Sequence, residues 1–280
     1  MTYQELWRPL TRLYDEREAK SIALLILERL YGLTQADVLC GKVADKADDE
    51  SDLRILQQRL LRGEPVQYVL GEAEFCGLLF HVEPGVLIPR PETQWMCNFV
   101  SESWGVQPRK GAILDIGTGS GCIACTTALN LADSPAEVVA WDISDRALRI
   151  ARNNAARLGA KVVFEKHDIF CPPSDSERWD VIVSNPPYVC EHEKVQMESR
   201  VKDYEPQLAL FVPDDDPLLF YRAIGCYAVK ALKPEGYLLV EINAQYGNDV
   251  GLLFESQGFS HVKIFKDFAD KDRFVLAYKP

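Results

Sequence analysis

From Gly111 onward, short apolar runs alternate with amphipathic stretches, and this alternation limits the fold more than any other feature of the 280-residue chain. Runs at 112–116, 137–141, 161–165, 181–184 and 237–242 have strand length and are rich in β-branched residues. Stretches at 121–131, 144–158 and 217–232 carry helical spacing, and Gly159 stops the second of them. Apolar strands separated by helices build a parallel sheet covered on both faces. A closing pair is expected at 261–265 and 273–278, and no internal repeat is evident. The predicted class is α/β, a doubly wound domain over 91–280. Ligands on such sheets bind beyond the carboxyl ends of the strands, so the residues that follow each strand are the candidate site.

The first 63 residues have a different character. Leu6, Leu10 and Leu13 recur at helical spacing, as do Ile22, Leu25, Ile26 and Leu30. Gly32 sits at a helix stop, Thr34 at a cap, and a further helix with Leu53, Leu56, Leu60 and Leu61 ends at Gly63 and Pro65. A small helical substrate-recognition domain over 1–63 is expected, with the acidic run 45–52 as a solvated loop. Residues 64–90 predict a hairpin around Gly77 and a linker. Pro84, Pro89 and Pro91 stiffen the segment before Glu92 and Thr93, which open a helix containing Trp95 and Phe99. A domain linker and a rigid functional loop both fit that segment.

Charge narrows the partners. The 31 basic against 42 acidic residues give −11, a surface that repels phosphate backbones, so no direct nucleic-acid contact is expected. The apolar run 22–27 falls far short of the roughly 20 residues that span a bilayer. The amino terminus lacks a signal-peptide pattern, so no membrane and a cytoplasmic location are expected. The eight cysteines are scattered and read as reduced thiols, with Cys122 and Cys125 as small apolar residues of a helix despite their CxxC spacing. His81, His167, His192 and His261 form no ligand pattern, and no metal is expected.

Four strand ends carry the chemistry. The first runs through Asp115 and Ile116 into Gly117-Thr118-Gly119-Ser120-Gly121, where the glycines permit a tight turn and close approach of a ligand. Cys122 stands where a dinucleotide fingerprint wants its third glycine, and Asp115 would disfavour a pyrophosphate on that helix end. S-adenosylmethionine, which has no phosphate and carries a sulfonium, suits the loop. The second strand ends in Asp142, whose carboxylate either accepts from ribose hydroxyls or caps the following helix. The third ends near Asp168, placed to accept from an adenine amine or to sit in the loop as a plain acid. The fourth runs into Asn185-Pro186-Pro187-Tyr188. There the Asn185 oxygen and the Pro186 carbonyl supply two acceptors for a planar NH₂ group, and Tyr188 offers a flat face.

This DxGxGxG loop followed by NPPY resembles the methyltransferases of planar amino and amide nitrogens. Residues 74–77 (EFCG), 84–93 (PGVLIPRPET), 185–189 (NPPYV) and 205–210 (EPQLAL) appear in that order. Together with the helical amino-terminal part, the chain is similar to the protein-glutamine methyltransferases of peptide chain release factors (the PrmC/HemK family). The resemblance implies a Rossmann-like class I methyltransferase fold. It implies methylation of the glutamine of the GGQ motif of class 1 release factors, with S-adenosylhomocysteine as product. It further implies cofactor contacts from Asp115, Gly117, Thr118, Gly119, Ser120, Gly121, Asp142, Asp168, Ile169 and Asn185. Asn185, Pro186, Pro187 and Tyr188 would hold the substrate, with Asn185, Pro186 and Tyr188 catalytic. Two positions depart from the family pattern: Gln94 stands where glutamate is usual, and Ile169 where an aromatic is often found. A monomer is expected. An adenine methyltransferase is the nearest alternative and a non-catalytic cofactor-binding module another; an NAD-dependent oxidoreductase fails on loop spacing.

Overall fold

The computed structural model describes residues 1–42, 50–105 and 110–280, so positions 45–49 of the expected acidic loop lie outside the described residues. The chain forms two compact units, one of residues 1–72 with 198–204, the other of 73–197 with 205–280. No helix among the described residues is long and apolar enough to cross a membrane.

The first unit contains α1 (Tyr3–Trp7), a 3₁₀ turn (Arg8–Arg12), α2 (Glu16–Tyr31), α3 (Gln35–Leu39), α4 (Glu50–Leu61) and α5 (Val66–Leu70). Thr2, Asp15 and Thr34 cap the first three helices, and Gly32 ends α2 in the left-handed region. Leu6, Leu10, Ile22, Ile26, Leu27, Leu53 and Leu60 form its core. Leu13, expected on that face, is 54% exposed. The 3₁₀ turn at Pro9 has three residues per turn rather than 3.6, so the helical phase is lost before Leu13. Residues 198–204, remote in sequence, complete the unit: Arg200 pairs with Glu18, and the Tyr204 hydroxyl donates to the Arg62 carbonyl at 2.8 Å.

The second unit opens with the hairpin of β1 (Glu72–Phe75) and β2 (Leu78–His81), turning on Cys76 and Gly77 at φ 51° and 72°. Then follow α6 (Gln94–Trp104), β3 (Gly111–Ile116), α7 (Cys122–Asn130), β4 (Ala136–Asp142), α8 (Asp145–Leu158), β5 (Val163–Lys166) and β6 (Trp179–Ser184). After these come β7 (Val189–Cys190), β8 (Phe211–Val212), α10 (Leu219–Ala231), β9 (Leu232–Glu241), α11 (Gly247–Ser256), β10 (Ser260–Lys266) and β11 (Asp272–Tyr278), while α9 (Ser199–Tyr204), between β7 and β8 in the chain, belongs to the first unit. The seven-stranded sheet has the order β10-β11-β9-β6-β3-β4-β5. Strands β9 to β5 are parallel, and β11 and β10 close one side antiparallel. Its two faces bury separate apolar clusters, with Leu114, Trp141 and Ile182 on one and Ile113, Val181 and Val183 on the other. Helix α11, with Val250 and Phe254 buried, was not expected from the sequence.

Chain order reverses at β3, since β4 lies to one side and β6 to the other. Such a switch point opens a crevice at the carboxyl edge of the sheet. Register then decides which residues meet there. Ile116 pairs with both Trp141 and Ser184, and Ser184 pairs with Val240. The next residue on each strand is therefore Gly117, Asp142, Asn185 and Glu241, all on one edge.

Candidate active site

Gly117, Gly119 and Gly121 all sit in the left-handed region, at φ 76°, 56° and 82°. They differ in what surrounds them. A Cβ on Gly117 or Gly119 would meet nothing within 4 Å, whereas one on Gly121 would lie 3.0 Å from the Ala151 Cβ of α8. The first two keep the cavity clear, and the third lets α7 and α8 pack closely. The loop is tied down by Gly117 and Thr118, whose N–H groups both donate to the Trp141 carbonyl at 2.9 Å. Fully buried Asn154 on α8 donates to the Ser120 carbonyl at 2.9 Å and exchanges two hydrogen bonds with the backbone of His81.

Asp115 lies beneath this loop rather than on the cavity wall. It is fully buried, accepts from the Thr118 hydroxyl at 2.7 Å, and its Oδ1 has no hydrogen-bond partner among the described residues. Burial pushes its carboxyl up to about 7. The native state therefore holds a proton that the unfolded chain releases near its ordinary value of about 3.9. Through this group stability falls as pH rises from about 4 to about 7. Asp115→Asn should accordingly gain stability relative to wild type between pH 5 and pH 8 in urea unfolding; a pH-independent difference would show that the native carboxyl is unprotonated.

Asp142 is not a helix cap, because Ser144 fills that position and its hydroxyl accepts from Ala147. Its Oδ2 accepts from Gly119 N–H and its Oδ1 from Ser144 N–H, each at 2.9 Å. Burial raises its carboxyl above the ordinary range. A carboxylate oxygen can accept more than one hydrogen bond, and Asp142 lines the cavity. Asp168 accepts from Phe170 N–H at 2.9 Å, which turns the chain so that Ile169 and Phe170 both line the cavity. Phe170 packs against Phe220 with ring centroids 5.2 Å apart. The aromatic wall that Ile169 lacks is thus furnished by its neighbour and by α10.

After β6, whose Ser184 hydroxyl donates to the Ile116 carbonyl at 2.7 Å, Asn185 points Nδ2 at the Thr93 hydroxyl at 3.2 Å. Thr93 lies 2.6 Å from Oε2 of Glu241, and the Tyr188 hydroxyl donates to Oε1 of Glu241 at 3.0 Å. Tyr188 therefore packs against the core and does not line the cavity, in contrast to Asn185, Pro186 and Pro187. Burial raises both the Tyr188 hydroxyl and the Glu241 carboxyl, while Thr93, Tyr188 and Arg273 favour the ionised Glu241.

The proline-rich segment 84–93 is no mere linker: Val86, Leu87, Pro89, Arg90 and Thr93 form one wall. Buried Glu205 holds that wall by accepting from Ile88 N–H at 3.0 Å and from Arg90 at 2.7 Å. Pro206, Leu208 and Ala209, just beyond it, also line the cavity, whereas Gln94 does not. Cys122 and Cys125 stand on α7 as unpaired thiols that burial pushes up, unsuited to redox chemistry. Away from the cavity, Cys190, His192 and Asp214 bring one donor atom each within 4.8 Å of one another, a grouping that spacing did not reveal.

The cavity measures about 360 Å³ and is walled by Gly117, Thr118, Gly119, Ser120, Asp142, Asp168, Ile169, Asn185, Pro186 and Pro187 of the predicted residues. Gly121 and Asp115 support it from behind. Sequence reasoning missed Glu241, Phe170 and Phe220, and gave Glu205 no role beyond its place in the 205–210 motif. An acid at the end of a parallel strand was the available signal for Glu241. Asp142 beside the open glycines, and Asp168 next to the paired aromatics Phe170 and Phe220, fit a nucleoside with hydroxyls and an exocyclic amine.

Residues 96–202 match the family model of the methyltransferase small domain. The chain is 45% identical over 267 residues to the release factor glutamine methyltransferase of Bacteroides thetaiotaomicron, covering 95% of this chain and 94% of that one. The chain belongs to the release factor glutamine methyltransferase family. The member from Neisseria gonorrhoeae is 40% identical over 279 residues, covering 99% and 97% of the two chains. A methyltransferase from Pyrococcus furiosus superposes with a TM-score of 0.52 at 18% identity, over 80% of this chain and 97% of that one, and so shares the fold. The expected Rossmann-like class I architecture is the one observed.

Proposed function

We propose that this chain transfers a methyl group from S-adenosylmethionine to the side-chain amide nitrogen of the GGQ glutamine in class 1 peptide chain release factors. The relatives' shared name supports the substrate. The observation that carries the chemistry is the state of the Asn185-Pro186 acceptors. Asn185 spends its Nδ2 on Thr93, and no hydrogen bond among the described residues reaches its Oδ1 or the Pro186 carbonyl.

A glutamine amide nitrogen is a poor nucleophile because its lone pair is delocalised into the carbonyl. Its two N–H groups are donors that seek two acceptors, and Asn185 and Pro186, adjacent in the chain and both lining the cavity, would supply them from Oδ1 and the carbonyl oxygen. Accepting both bonds pushes electron density onto nitrogen and fixes its direction. The same oxygens stabilise the positive charge that grows on nitrogen, the counterpart of an oxyanion hole. When bound, S-adenosylmethionine supplies an electrophilic methyl on a sulfonium. Asp142 would hold its ribose, Asp168 its adenine amine, and Ile169, Phe170 and Phe220 its base. Fixing the nitrogen on a rigid NPPY turn converts an encounter into an intramolecular geometry, and this positioning contributes most of the acceleration. The proton lost from nitrogen passes through the same acceptors to water.

The deciding experiment is mass spectrometry of a purified class 1 release factor after incubation with this protein and S-adenosylmethionine. A gain of one methyl on the GGQ glutamine is expected. Transfer of labelled methyl to nucleic acid and not to the release factor would instead favour the adenine reading.

A further inference from the structure

We propose that Glu241 is a positioning residue that decides, through the Thr93 hydroxyl, which end of the Asn185 carboxamide faces the substrate. The proposal rests on the glutamine-methylation reading and adds to it a source for the acceptor's orientation.

A carboxamide has two ends of nearly equal size, one accepting and one donating. Asn185 serves an incoming NH₂ group only with its oxygen turned to the cavity. Nothing in the shape of the side chain enforces that choice, so its neighbour must. The neighbour is Thr93, 3.2 Å from Nδ2. Thr93 is buried and has a single hydroxyl proton. Its Oγ1 also lies 2.6 Å from Oε2 of Glu241. The Thr93 hydroxyl is the donor of that bond, and Glu241 in its carboxylate form only accepts, so the Thr93 proton goes to Glu241. Thr93 then meets Asn185 as an acceptor, which draws Nδ2 inward and leaves Oδ1 outward.

The second carboxylate oxygen is also committed, since Tyr188 donates to Oε1 at 3.0 Å. Glu241 is 1% exposed. Burial and the Glu92 charge raise the Glu241 carboxyl, and Thr93, Tyr188 and Arg273 on the adjacent antiparallel strand oppose them in favour of the ionised form. Register explains why these residues meet. Ser184 pairs with Val240, so Asn185 and Glu241 follow side by side on neighbouring parallel strands.

Exchange of Glu241 for glutamine reverses the chain of donors. Tyr188 still donates and claims the new carbonyl oxygen, so the new NH₂ group faces Thr93. Thr93 then accepts from residue 241 and must give its own proton to Asn185. Asn185 turns over and presents NH₂ to the substrate's NH₂. Two donors face each other, and the methyl acceptor is no longer held.

The test measures kcat, release-factor KM and S-adenosylmethionine affinity for Glu241→Gln, Thr93→Val, Thr93→Ser and the Glu241→Gln/Thr93→Val pair. Glu241→Gln is expected to lower kcat about 10- to 10²-fold, the scale of losing one preorganised polar partner, with cofactor affinity little changed. Thr93→Val should fall similarly, Thr93→Ser far less, and the double variant little further than either single one, since the residues act as one unit. If Glu241→Gln fails to fold by circular dichroism, the Thr93 pair decides. Wild-type kcat in folded Glu241→Gln, equal loss in Thr93→Ser and Thr93→Val, or additive losses in the double variant would overturn the proposal alone. A wild-type protein that binds cofactor yet leaves the release-factor glutamine unmodified would overturn the reading beneath it as well.

Discussion

Replacing Asn185 with alanine is expected to lower turnover on a release factor by about 10²-fold or more, the loss found when one preorganised polar partner of a charged transition state is removed. The side chain lies at the carboxyl end of β6, within the cavity wall, with Nδ2 held by Thr93. Truncation leaves the Thr93 oxygen without that donor but reaches none of the apolar clusters, so the fold should survive. Cofactor affinity should change far less than rate, because the proposed ribose and adenine acceptors, Asp142 and Asp168, lie at the ends of other strands. Single-turnover methylation with circular dichroism as a control checks this. A folded variant that methylates at near wild-type rate would remove Asn185 from the chemistry.

Asp142→Ala should act on the other half of the reaction, weakening S-adenosylmethionine binding by about 10- to 100-fold, the worth of hydrogen bonds to one charged group. The carboxylate does two things. It lines the cavity as an acceptor, and it ties Gly119 N–H to the start of α8 through Ser144. Removing it both deletes the proposed ribose acceptor and loosens the glycine loop. With saturating cofactor, kcat should recover much of its wild-type value, a pattern opposite to that of Asn185→Ala. Titration calorimetry decides the point; unchanged affinity would mean that Asp142 serves the loop and not the ribose.

The two variants differ because their motifs sit on different strands, and that arrangement was legible in the sequence. Apolar strands alternating with helices require a parallel sheet, and a glycine loop, a strand-end acid and NPPY are each contiguous. Contiguous signals depend on local backbone preference, which a sequence displays directly. Tyr188 shows the limit of that reasoning. Its ring looked available for stacking, yet its hydroxyl is drawn to Glu241, 53 residues further on. Leu13 shows another limit, since one proline-bearing 3₁₀ turn shifts the phase of everything after it.

By itself the sequence determined the sheet, the edge at which the candidate site lies and the family, because each is carried by neighbours along the chain. Tertiary structure alone decided that Thr93 and Glu241, 148 residues apart, are hydrogen-bonded, with Asn185 bonded in turn to Thr93. It also decided that Glu205 steadies a cavity wall made of residues 84–93. Such bonds depend on strand register and loop packing, which no local propensity encodes.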